Sequence, residues 1–295
     1  MKRFIGILSV LLIVIGLFFF IEETPQTIKP HSGELVFQVF DVGHGDALLL
    51  RTERQTVLVD TGRREIEGVL ISNLQKLGVE KIDILIFSHA HGDHTGNGAA
   101  IIEYFPVGKV YEGPGQPPSP LVKKYHDAME KRGVSLVIPK AGDRIDLGGG
   151  AELEFLTPLA GFTAPEVKKN LNNSSIVARV TFGQIHMLLT GDMEEELENE
   201  LVKKYPSKLQ AQILKSPHHG SASSSTVPFL KAVRPEVALV SVSDKMAAEQ
   251  YHIKIFKRYE EMGIKTYRTD TQDTITVRTD GKTYQIHTGK VGDLK

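Results

Sequence analysis

Short apolar runs along the chain predict strands, and they alternate with longer amphipathic stretches that predict helices. The predicted strands span residues 35–40, 47–51, 56–59, 82–87, 135–138, 176–182, 186–189 and 237–242. The predicted helices span residues 67–77, 97–104, 120–132, 194–205 and 253–262. Because the two kinds of element are mixed along the sequence, the pattern predicts an α/β fold of packed layers.

The first 22 residues form a different kind of segment. Lys2 and Arg3 precede 18 residues, from Phe4 to Ile21, of which Ser9 is the one clearly polar member. This length approaches what a helix needs to cross a bilayer, and the basic flank is expected to stay in the cytoplasm. A cleaved secretory signal is the alternative, but no small residues form a cleavage pattern here, which favours an uncleaved anchor. Either interpretation predicts an extracytoplasmic domain, held at the cell membrane or secreted.

Residues 23–33 are predicted to be a linker, because Pro25 and Pro30 interrupt a short polar stretch. The folded domain is then predicted over residues 34–295, which is long enough to bury a large core. The chain has 35 basic and 36 acidic residues, so its overall charge gives no support for a polyanionic partner and does not exclude one. It has no cysteine, which excludes disulfides, thiolate metal ligands and a lipoprotein anchor.

Four residues that commonly bind metals follow the predicted strand at 82–87, namely His89, His91, Asp93 and His94. A lone histidine is usually a surface residue or a hydrogen-bonded core residue, but four such side chains within six positions favour a metal site. In an extended segment the spacing of His89 and His91 puts both rings on one side. Asp93 and His94 fall in the following turn and can face a neighbouring position, so two adjacent metals are geometrically reasonable.

Six motifs occur in one order and carry a resemblance to a known family. They are Asp41-Val42-Gly43-His44-Gly45-Asp46-Ala47, Val59-Asp60-Thr61-Gly62, His89-x-His91-x-Asp93-His94, Asn172-Asn173-Ser174-Ser175-Ile176-Val177, Leu189-Thr190-Gly191-Asp192 and Leu214-Lys215-Ser216-Pro217-His218-His219-Gly220-Ser221. Together they resemble the metallo-beta-lactamase superfamily and, within it, the soluble domain of ComEC-type competence proteins. The resemblance implies an αββα sandwich that holds two divalent metal ions, zinc or manganese, where the sheets meet.

By this resemblance the metal ligands are expected to be His89, His91, Asp93, His94, Asp192 and His218, with Asp93 and Asp192 also taking part in catalysis. Asp192 is expected to bridge the two ions, although a carboxylate before an acidic stretch could instead cap a helix. One of His218 and His219 should bind the second metal. Neighbouring side chains on an extended segment point opposite ways, and we favour His218 as the ligand with His219 facing the substrate.

Other residues are expected to orient ligands or contact substrate. Asp60 matches an aspartate that orients ligands in the superfamily, although a plain turn residue is a comparable interpretation. Ser221 begins a polar run that could bind phosphate oxygens or serve only as a linker. His252 is either near the substrate or on the surface. Asp41, His44 and Asp46 lie in a glycine loop at the expected mouth of the site and are not predicted to be ligands.

One motif departs from the wider superfamily. Asn172 and Asn173 stand where many members have a histidine, as they do in the ComEC-type branch. An amide oxygen is a weaker and harder donor than imidazole, so manganese becomes a rival to zinc. Asn173 is expected to orient ligands or to contact substrate, and its departure from histidine argues against a beta-lactamase.

The resemblance implies an exported phosphodiesterase that acts on DNA as a nuclease. Paired cations lower the pKa of a shared water and hold both oxygens of an in-line displacement at phosphorus. One alternative keeps this chemistry on another phosphodiester of the cell envelope, as in the similar phosphorylcholine esterases. A second alternative is a non-catalytic module of a DNA-uptake apparatus.

Overall fold

The computed structural model describes residues 29–167 and 170–293. The predicted anchor or signal segment at 1–22, and the linker up to residue 28, lie outside the described residues. Within the described ranges, no helix is both long and apolar enough to span a membrane.

Fifteen strands occur in the described part of the chain. In chain order they are β1 (Leu35–Val39), β2 (Leu48–Arg51), β3 (Thr56–Val59), β4 (Ile82–Phe87), β5 (Val107–Glu112), β6 (Ser135–Val137), β7 (Arg144–Gly148), β8 (Ala151–Phe155), β9 (Ala178–Phe182), β10 (Ile185–Leu189), β11 (Ile213–Lys215), β12 (Val237–Val240), β13 (Lys265–Arg268), β14 (Thr274–Thr279) and β15 (Tyr284–Gly289).

The helices vary in length from one turn to more than three. In chain order they are α1 (Glu67–Lys76), α2 (Gly92–Thr95), α3 (Gly98–Tyr104), α4 (Pro120–Arg132), α5 (Ala164–Val167), α6 (Glu195–Lys204), α7 (Val227–Val233), α8 (Asp244–Ala247), α9 (Gln250–Glu261) and α10 (Thr269–Gln272). Short 3-10 turns occupy Arg64–Ile66, Leu171–Ser174 and Pro217–Gly220.

The strands form two mixed sheets. The first has the order β15-β14-β1-β2-β3-β4-β5-β6, and the second has the order β13-β12-β11-β10-β9-β8-β7. Strands β3 to β6 run parallel to one another in the first sheet, and β10 to β13 do so in the second. The carboxyl ends of parallel neighbours lie at one edge of a sheet, so each sheet gathers the loops that follow these strands.

Three apolar clusters show how the layers pack. The central cluster combines inward residues of both sheets, such as Phe37 and Leu50 from the first and Phe155 and Met187 from the second. A second cluster joins the outer face of the first sheet to α1, α3 and α4, and a third joins the second sheet to α6, α7 and α9. Adjacent residues alternate between clusters, since Leu48 and Leu50 belong to the central one and Leu49 to the outer one. The predicted αββα sandwich is confirmed.

The predicted elements agree with the structure where the apolar pattern is strong. All five predicted helices are present within three residues of the predicted bounds, and α4 matches at both ends. Helix α4 has a clear sequence reason: the hydroxyl of Ser119 accepts the Val122 backbone N–H at 3.1 Å, Pro120 begins the helix, and Gly133 ends it with a φ of 65°. Seven strands, β5, β7, β8, β11, β13, β14 and β15, were not predicted.

Candidate metal centre

The candidate site lies where the carboxyl ends of the parallel strands of both sheets meet. Asp60 follows β3 and His89 follows β4 in the first sheet. Asp192 comes shortly after β10, and His219 follows β11 in the second. The backbone joins the two halves here, because Ile176 N–H donates to the Ser88 carbonyl at 2.8 Å. The fold therefore assembles residues that lie far apart in the sequence.

Four side chains form the larger of two groups of potential ligands among the described residues. Asp93, His94, Asp192 and His219 each offer a ligand atom, and these atoms all lie within 4.8 Å of one another. His94 Nε2 is 3.2 Å from Asp192 Oδ2, and His219 Nε2 is 3.4 Å from Asp192 Oδ1 and 3.6 Å from Asp93 Oδ2. His94 Nε2, His219 Nε2 and Asp192 Oδ1 are buried and make no hydrogen bond of good geometry. Buried polar atoms without partners are costly, and a cation between them would satisfy all three.

The other ring nitrogen of each histidine already has a partner. His94 Nδ1 lies 2.8 Å from Asp60 Oδ2, and His219 Nδ1 lies 3.1 Å from the Ser241 carbonyl. Asp60 is itself fixed by the backbone N–H and the hydroxyl of Ser88, at 2.8 and 2.6 Å. With a proton on each Nδ1, both Nε2 atoms keep the lone pair that metal binding requires. This geometry is the one expected of Asp60 as a residue that orients a ligand.

Asp192 is at the centre of the site. Its carboxylate faces four imidazoles, since besides His94 and His219 the Nε2 atoms of His89 and His218 each lie 3.9 Å from Asp192 Oδ2. Its position follows from the tight turn after β10, where the hydroxyl of Ser175 accepts the Asp192 N–H at 3.0 Å. Helix α6 begins at Glu195 with Glu194 as its N-cap, so the alternative role of Asp192 as the helix cap is wrong.

His89 and His91 lie together on another side of Asp192. His89 Nε2 is 2.9 Å from His91 Nδ1, and the His89 side chain is fully buried. Burial lowers the pKa of His89 well below its usual range, and the neighbouring His94 acts in the same direction. A neutral imidazole is the form that binds a metal. His89 and His91 would therefore be able to hold a metal ion next to the Asp192 carboxylate.

The charges of the buried group balance one another. Burial alone would raise the pKa of Asp192, but His219 and His94 together hold the pKa well below its ordinary value. Burial likewise opposes protonation of His219, yet Asp192, Asp93 and Asp46 raise its pKa to about 9. Without a metal, protons on the imidazoles offset the carboxylates. The carboxylates thus attract a metal cation, but they also stabilise the protons on the imidazoles. Metal binding must displace these protons, so protons and metal compete for the site.

His218 and His219 sit in a turn whose backbone is not extended. Their φ angles are 47° and 55°, in the left-handed region, so the assumption that adjacent side chains alternate as on a strand is wrong here. The structure brings His219 into the ligand group. His218 lies farther from Asp192, and its Nδ1 contacts the hydroxyl of Ser223 at 3.0 Å and Glu194 Oε1 at 3.2 Å. The geometry thus favours the reverse of the predicted roles, with His219 as the closer ligand.

Asn173 does not join the ligand group. Its Oδ1 accepts the Glu194 backbone N–H at 2.8 Å, and its Nδ2 donates to Glu196 Oε2 at 3.3 Å, so it holds the start of α6. Its neighbour Asn172 donates to Glu194 Oε1 at 3.0 Å and leaves a buried Oδ1 without a hydrogen-bond partner. Glu194, which the sequence analysis did not single out, therefore connects this turn to the loop of His218.

Ser221 and His252 border the turn that carries His219. The hydroxyl of Ser221 lies 3.2 Å from that of Ser223, within the polar run after the turn. His252, on α9, is fully buried, so the alternative of a surface histidine is wrong. Helix α9 packs against the turn Pro217–Gly220, and His252 lies next to the backbone of His219 and Gly220.

Three residues support the site but were not predicted to do so. His44 Nε2 lies 2.8 Å from Asp93 Oδ2, so the glycine loop orients this carboxylate. Asp46 and Lys215 form a fully buried ion pair at 2.9 Å, and Asp46 Oδ1 also faces His219 Nδ1 at 3.6 Å. A lysine in the apolar run of β11 was the available signal, since a buried ammonium needs a partner. The loop approaches closely at Gly45, where a Cβ would lie 2.1 Å from the Asp93 carbonyl.

The fold and the site together define a two-sheet protein with a buried histidine and carboxylate cluster at the edge of the sandwich. The family model of the metallo-beta-lactamase superfamily matches residues 40–243, so the chain belongs to this superfamily. Most of its members are metal-dependent hydrolases, and the donor set found here fits that class.

The resemblance to ComEC-type competence proteins is also confirmed. The chain is 30% identical to ComE operon protein 3 of Bacillus subtilis over 84% of its own length and 33% of the relative. It is 32% identical to competence protein ComA of Neisseria gonorrhoeae over 85% of its length and 33% of the relative. The chain therefore spans about a third of the length of these relatives.

Solved structures agree on the fold alone. The metallo-beta-lactamase fold protein YhfI of Bacillus subtilis superposes with a TM-score of 0.56 at 13% identity, covering 83% of this chain and all of that one. The diiron beta-hydroxylase CmlA of Streptomyces venezuelae gives 0.53 at 14% identity, covering 85% of this chain and 55% of that one. At these identities the architecture is shared and the chemistry is not transferable.

Proposed function

We propose that the protein is an exported phosphodiesterase with two divalent metal ions, and that it acts on DNA as a nuclease. The observation that carries the proposal is the carboxylate of Asp192, faced by four imidazoles, with three buried donor atoms in its group that lack hydrogen bonds. Export follows from the apolar segment predicted at residues 1–22, whose basic flank favours an anchor with the folded domain outside the cytoplasm.

The residues divide the two ions between them. We propose that Asp93, His94 and His219 would hold one ion and His89 and His91 the other, and that Asp192, which lies near both groups, would serve both ions. When bound, the ions supply Lewis-acid activation of water and neutralise charge that develops at phosphorus. The hard oxygen donors and the absence of cysteine are compatible with manganese as well as zinc.

The remaining residues prepare this chemistry. Asp60 and the Ser241 carbonyl keep the protons of His94 and His219 on Nδ1, which holds each ring in one tautomer and orientation. His44 fixes Asp93 at 2.8 Å. His218, held by Ser223 and Glu194, is the partly exposed imidazole beside Asp192 and is placed to contact a substrate oxygen. No side-chain nucleophile is required.

DNA as the substrate is supported by the similarity to competence proteins, which suggests a role related to DNA. The overall charge does not contribute to this choice. The chain spans about a third of the length of these relatives, so the proposal concerns only the activity of the part that they share.

The test combines metal analysis with two substrates. Purified protein should contain up to two ions of zinc or manganese per chain, and it should cleave both DNA and bis(4-nitrophenyl) phosphate until a chelator is added. His89→Ala and Asp93→Ala should lose both activities by at least about 100-fold, since each removes a ligand. His287→Ala, which changes an exposed histidine on β15, is the matched control and should retain them.

Two results would overturn the assignment in different ways. Cleavage of the small diester with DNA left intact would remove the nuclease proposal and favour an envelope phosphodiester such as a phosphorylcholine ester. Protein that binds no zinc or manganese, and that hydrolyses neither substrate, would favour a non-catalytic module of DNA uptake.

A further inference from the structure

A charged cleft leads away from the candidate metal centre. It has a volume of about 360 Å³ and is lined by His44, Arg63, Arg64, Glu65, Asp93 and Leu121, together with glycines. His44 and Asp93 belong to the site itself, because they contact each other at 2.8 Å. The cleft therefore shares Asp93 with the group of potential ligands, and two adjacent arginines also line it.

The arginines are accessible for a ligand. Arg63, Arg64 and Glu65 are all exposed, and Arg63 Nε lies 3.6 Å from Glu65 Oε2. An exposed pair at this distance contributes little, so an anion can replace Glu65 at small cost. Guanidinium groups present a planar fork of donors that matches phosphate oxygens.

The turn that carries the arginines is held rigidly against the metal-binding helix. The Asn97 side chain donates to the carbonyls of Thr61 and Arg63, at 2.8 and 2.6 Å. Thr61 N–H donates to the His94 carbonyl at 2.6 Å. At Gly96 a Cβ would lie 2.6 Å from the Arg64 backbone nitrogen and 2.5 Å from the Gly92 carbonyl, so the two segments pack backbone to backbone. The backbone at Arg63 and Arg64 therefore keeps its position next to Asp93 and His94, and the exposed side chains extend from it.

We propose that this cleft binds the phosphates of a nucleic acid strand that flank the one being hydrolysed, with Arg63 and Arg64 as the contacts. The proposal rests on the proposed phosphodiesterase function. A small diester has one phosphate and fills only the metal centre, whereas a polymer also places its neighbouring phosphates along the cleft. The arginines are thus the residues that distinguish a polymeric substrate from a simple diester. Because the net charge of the protein is only −1, attraction of a polyanion depends on such local positive groups.

The first measurement is binding without cleavage. Full-length protein in a mild nonionic detergent with a chelator is titrated against a fluorescein-labelled single-stranded oligodeoxynucleotide, and binding is read by fluorescence anisotropy. Each of Arg63→Ala and Arg64→Ala should raise Kd about 10-fold and reduce the slope of log Kd against log salt by about 0.7. Glu65→Gln should change Kd in the opposite direction, because it removes the competing carboxylate.

The second measurement separates the two proposals. On metal-loaded protein, Arg63→Ala and Arg64→Ala should raise KM for the oligonucleotide while kcat/KM for bis(4-nitrophenyl) phosphate stays within about twofold of the parent. The double substitution Lys203→Ala/Lys204→Ala removes two positive charges, one more than each arginine variant, from exposed positions on α6 and should change neither. Retained activity on the small diester also shows that the variants are folded.

The possible outcomes are distinct. If the parent protein fails to hydrolyse the small diester, the proposed function fails. If it does hydrolyse it, but the arginine variants bind and cleave the oligonucleotide like the parent or like the α6 lysine control, the cleft proposal is overturned and the function stands.

Discussion

His218 and His219, the neighbouring histidines of the candidate metal centre, differ in how free their ring nitrogens are to bind a metal. His219 is fully buried, and its Nδ1 is already engaged by a backbone carbonyl, so its Nε2 points at two carboxylates. His218 is about a quarter exposed and farther from Asp192. The two neighbours have the same chemistry but different environments, which makes them a matched pair for testing which one binds metal.

We expect His219→Ala to weaken metal binding by more than about 10-fold, because it removes a donor whose orientation is fixed. His218→Ala should have a smaller effect on metal affinity and should act mainly on KM or kcat. The measurement is competition with a chromophoric chelator, alongside the metal content of dialysed protein. A loss of metal in His218→Ala that His219→Ala does not show would restore the roles predicted from the sequence.

Asp60→Asn tests the tautomer of His94. An amide nitrogen at the position of Asp60 Oδ2 would donate toward His94 Nδ1, moving the ring proton to Nε2 and blocking the metal-binding atom. Metal affinity should fall by about 10-fold to 100-fold. Asp83→Asn is the control, because Asp83 accepts the Thr56 backbone N–H near the opposite end of β4, away from the site. Equal affinity in Asp60→Asn and the parent would contradict this role.

At the level of elements, a buried carboxylate joins two helices of the outer layer. Glu198, on α6, accepts the backbone N–H groups of Ser225 and Thr226, just before α7 begins. Burial raises the pKa of Glu198 from 4.5 to about 7, although the hydrogen bonds from Thr226 and Ser225 act against this rise. Between pH 4.5 and about 7, the Glu198 carboxyl is therefore protonated in the folded state and ionised in the unfolded state.

This shift predicts a pH dependence of stability. Because the folded pKa lies above the unfolded one, stability from this group is present below about pH 4.5 and is lost as the pH rises to about 7, a change of about 3 kcal/mol. In urea unfolding of metal-free protein across this range, the parent should lose about 3 kcal/mol more stability than Glu198→Gln, because the histidines of the site titrate in both proteins and cancel in the difference. Glu260→Gln, an exposed change on α9, should keep the parent profile. Parallel curves for the parent and Glu198→Gln would refute the assignment.

For the whole molecule, the metal centre connects the two halves of the sandwich. Asp93 and His94 come from the loop after β4 in the first sheet, whereas Asp192 and His219 come from loops of the second. Any ion bound by this group therefore links the layers at one edge. Binding to the folded state alone should stabilise the entire domain.

We expect zinc or manganese at about 100 times Kd to raise the free energy of unfolding by about 2.7 kcal/mol. Asp192→Asn should lose most of this gain, because it alters the carboxylate that all four imidazoles share. Thermal unfolding with and without chelator measures the gain, and far-UV circular dichroism checks that the variant is folded. An equal gain in Asp192→Asn and the parent would show that the metal binds elsewhere.

The amino-acid sequence by itself indicated the family and the αββα architecture, through the resemblance that six ordered motifs carry. Local signals indicated most residues of the candidate site, because His89 to His94 crowd into one turn after a buried strand, and Asp60 and Asp192 each follow an apolar run. Strands such as β15 escaped prediction because their residues are polar and half exposed, so pairing with β14, rather than an apolar pattern, defines them.

Only the tertiary structure decided the finer arrangement of the site. The left-handed turn of His218 and His219 is imposed by contacts with distant segments, such as the bond from His218 N–H to the Gly191 carbonyl at 3.2 Å. The buried pair of Asp46 and Lys215 joins residues remote in sequence. Local sequence fixes which residues follow a strand, but the direction of each side chain depends on backbone angles and partners that exist only once the two sheets have packed.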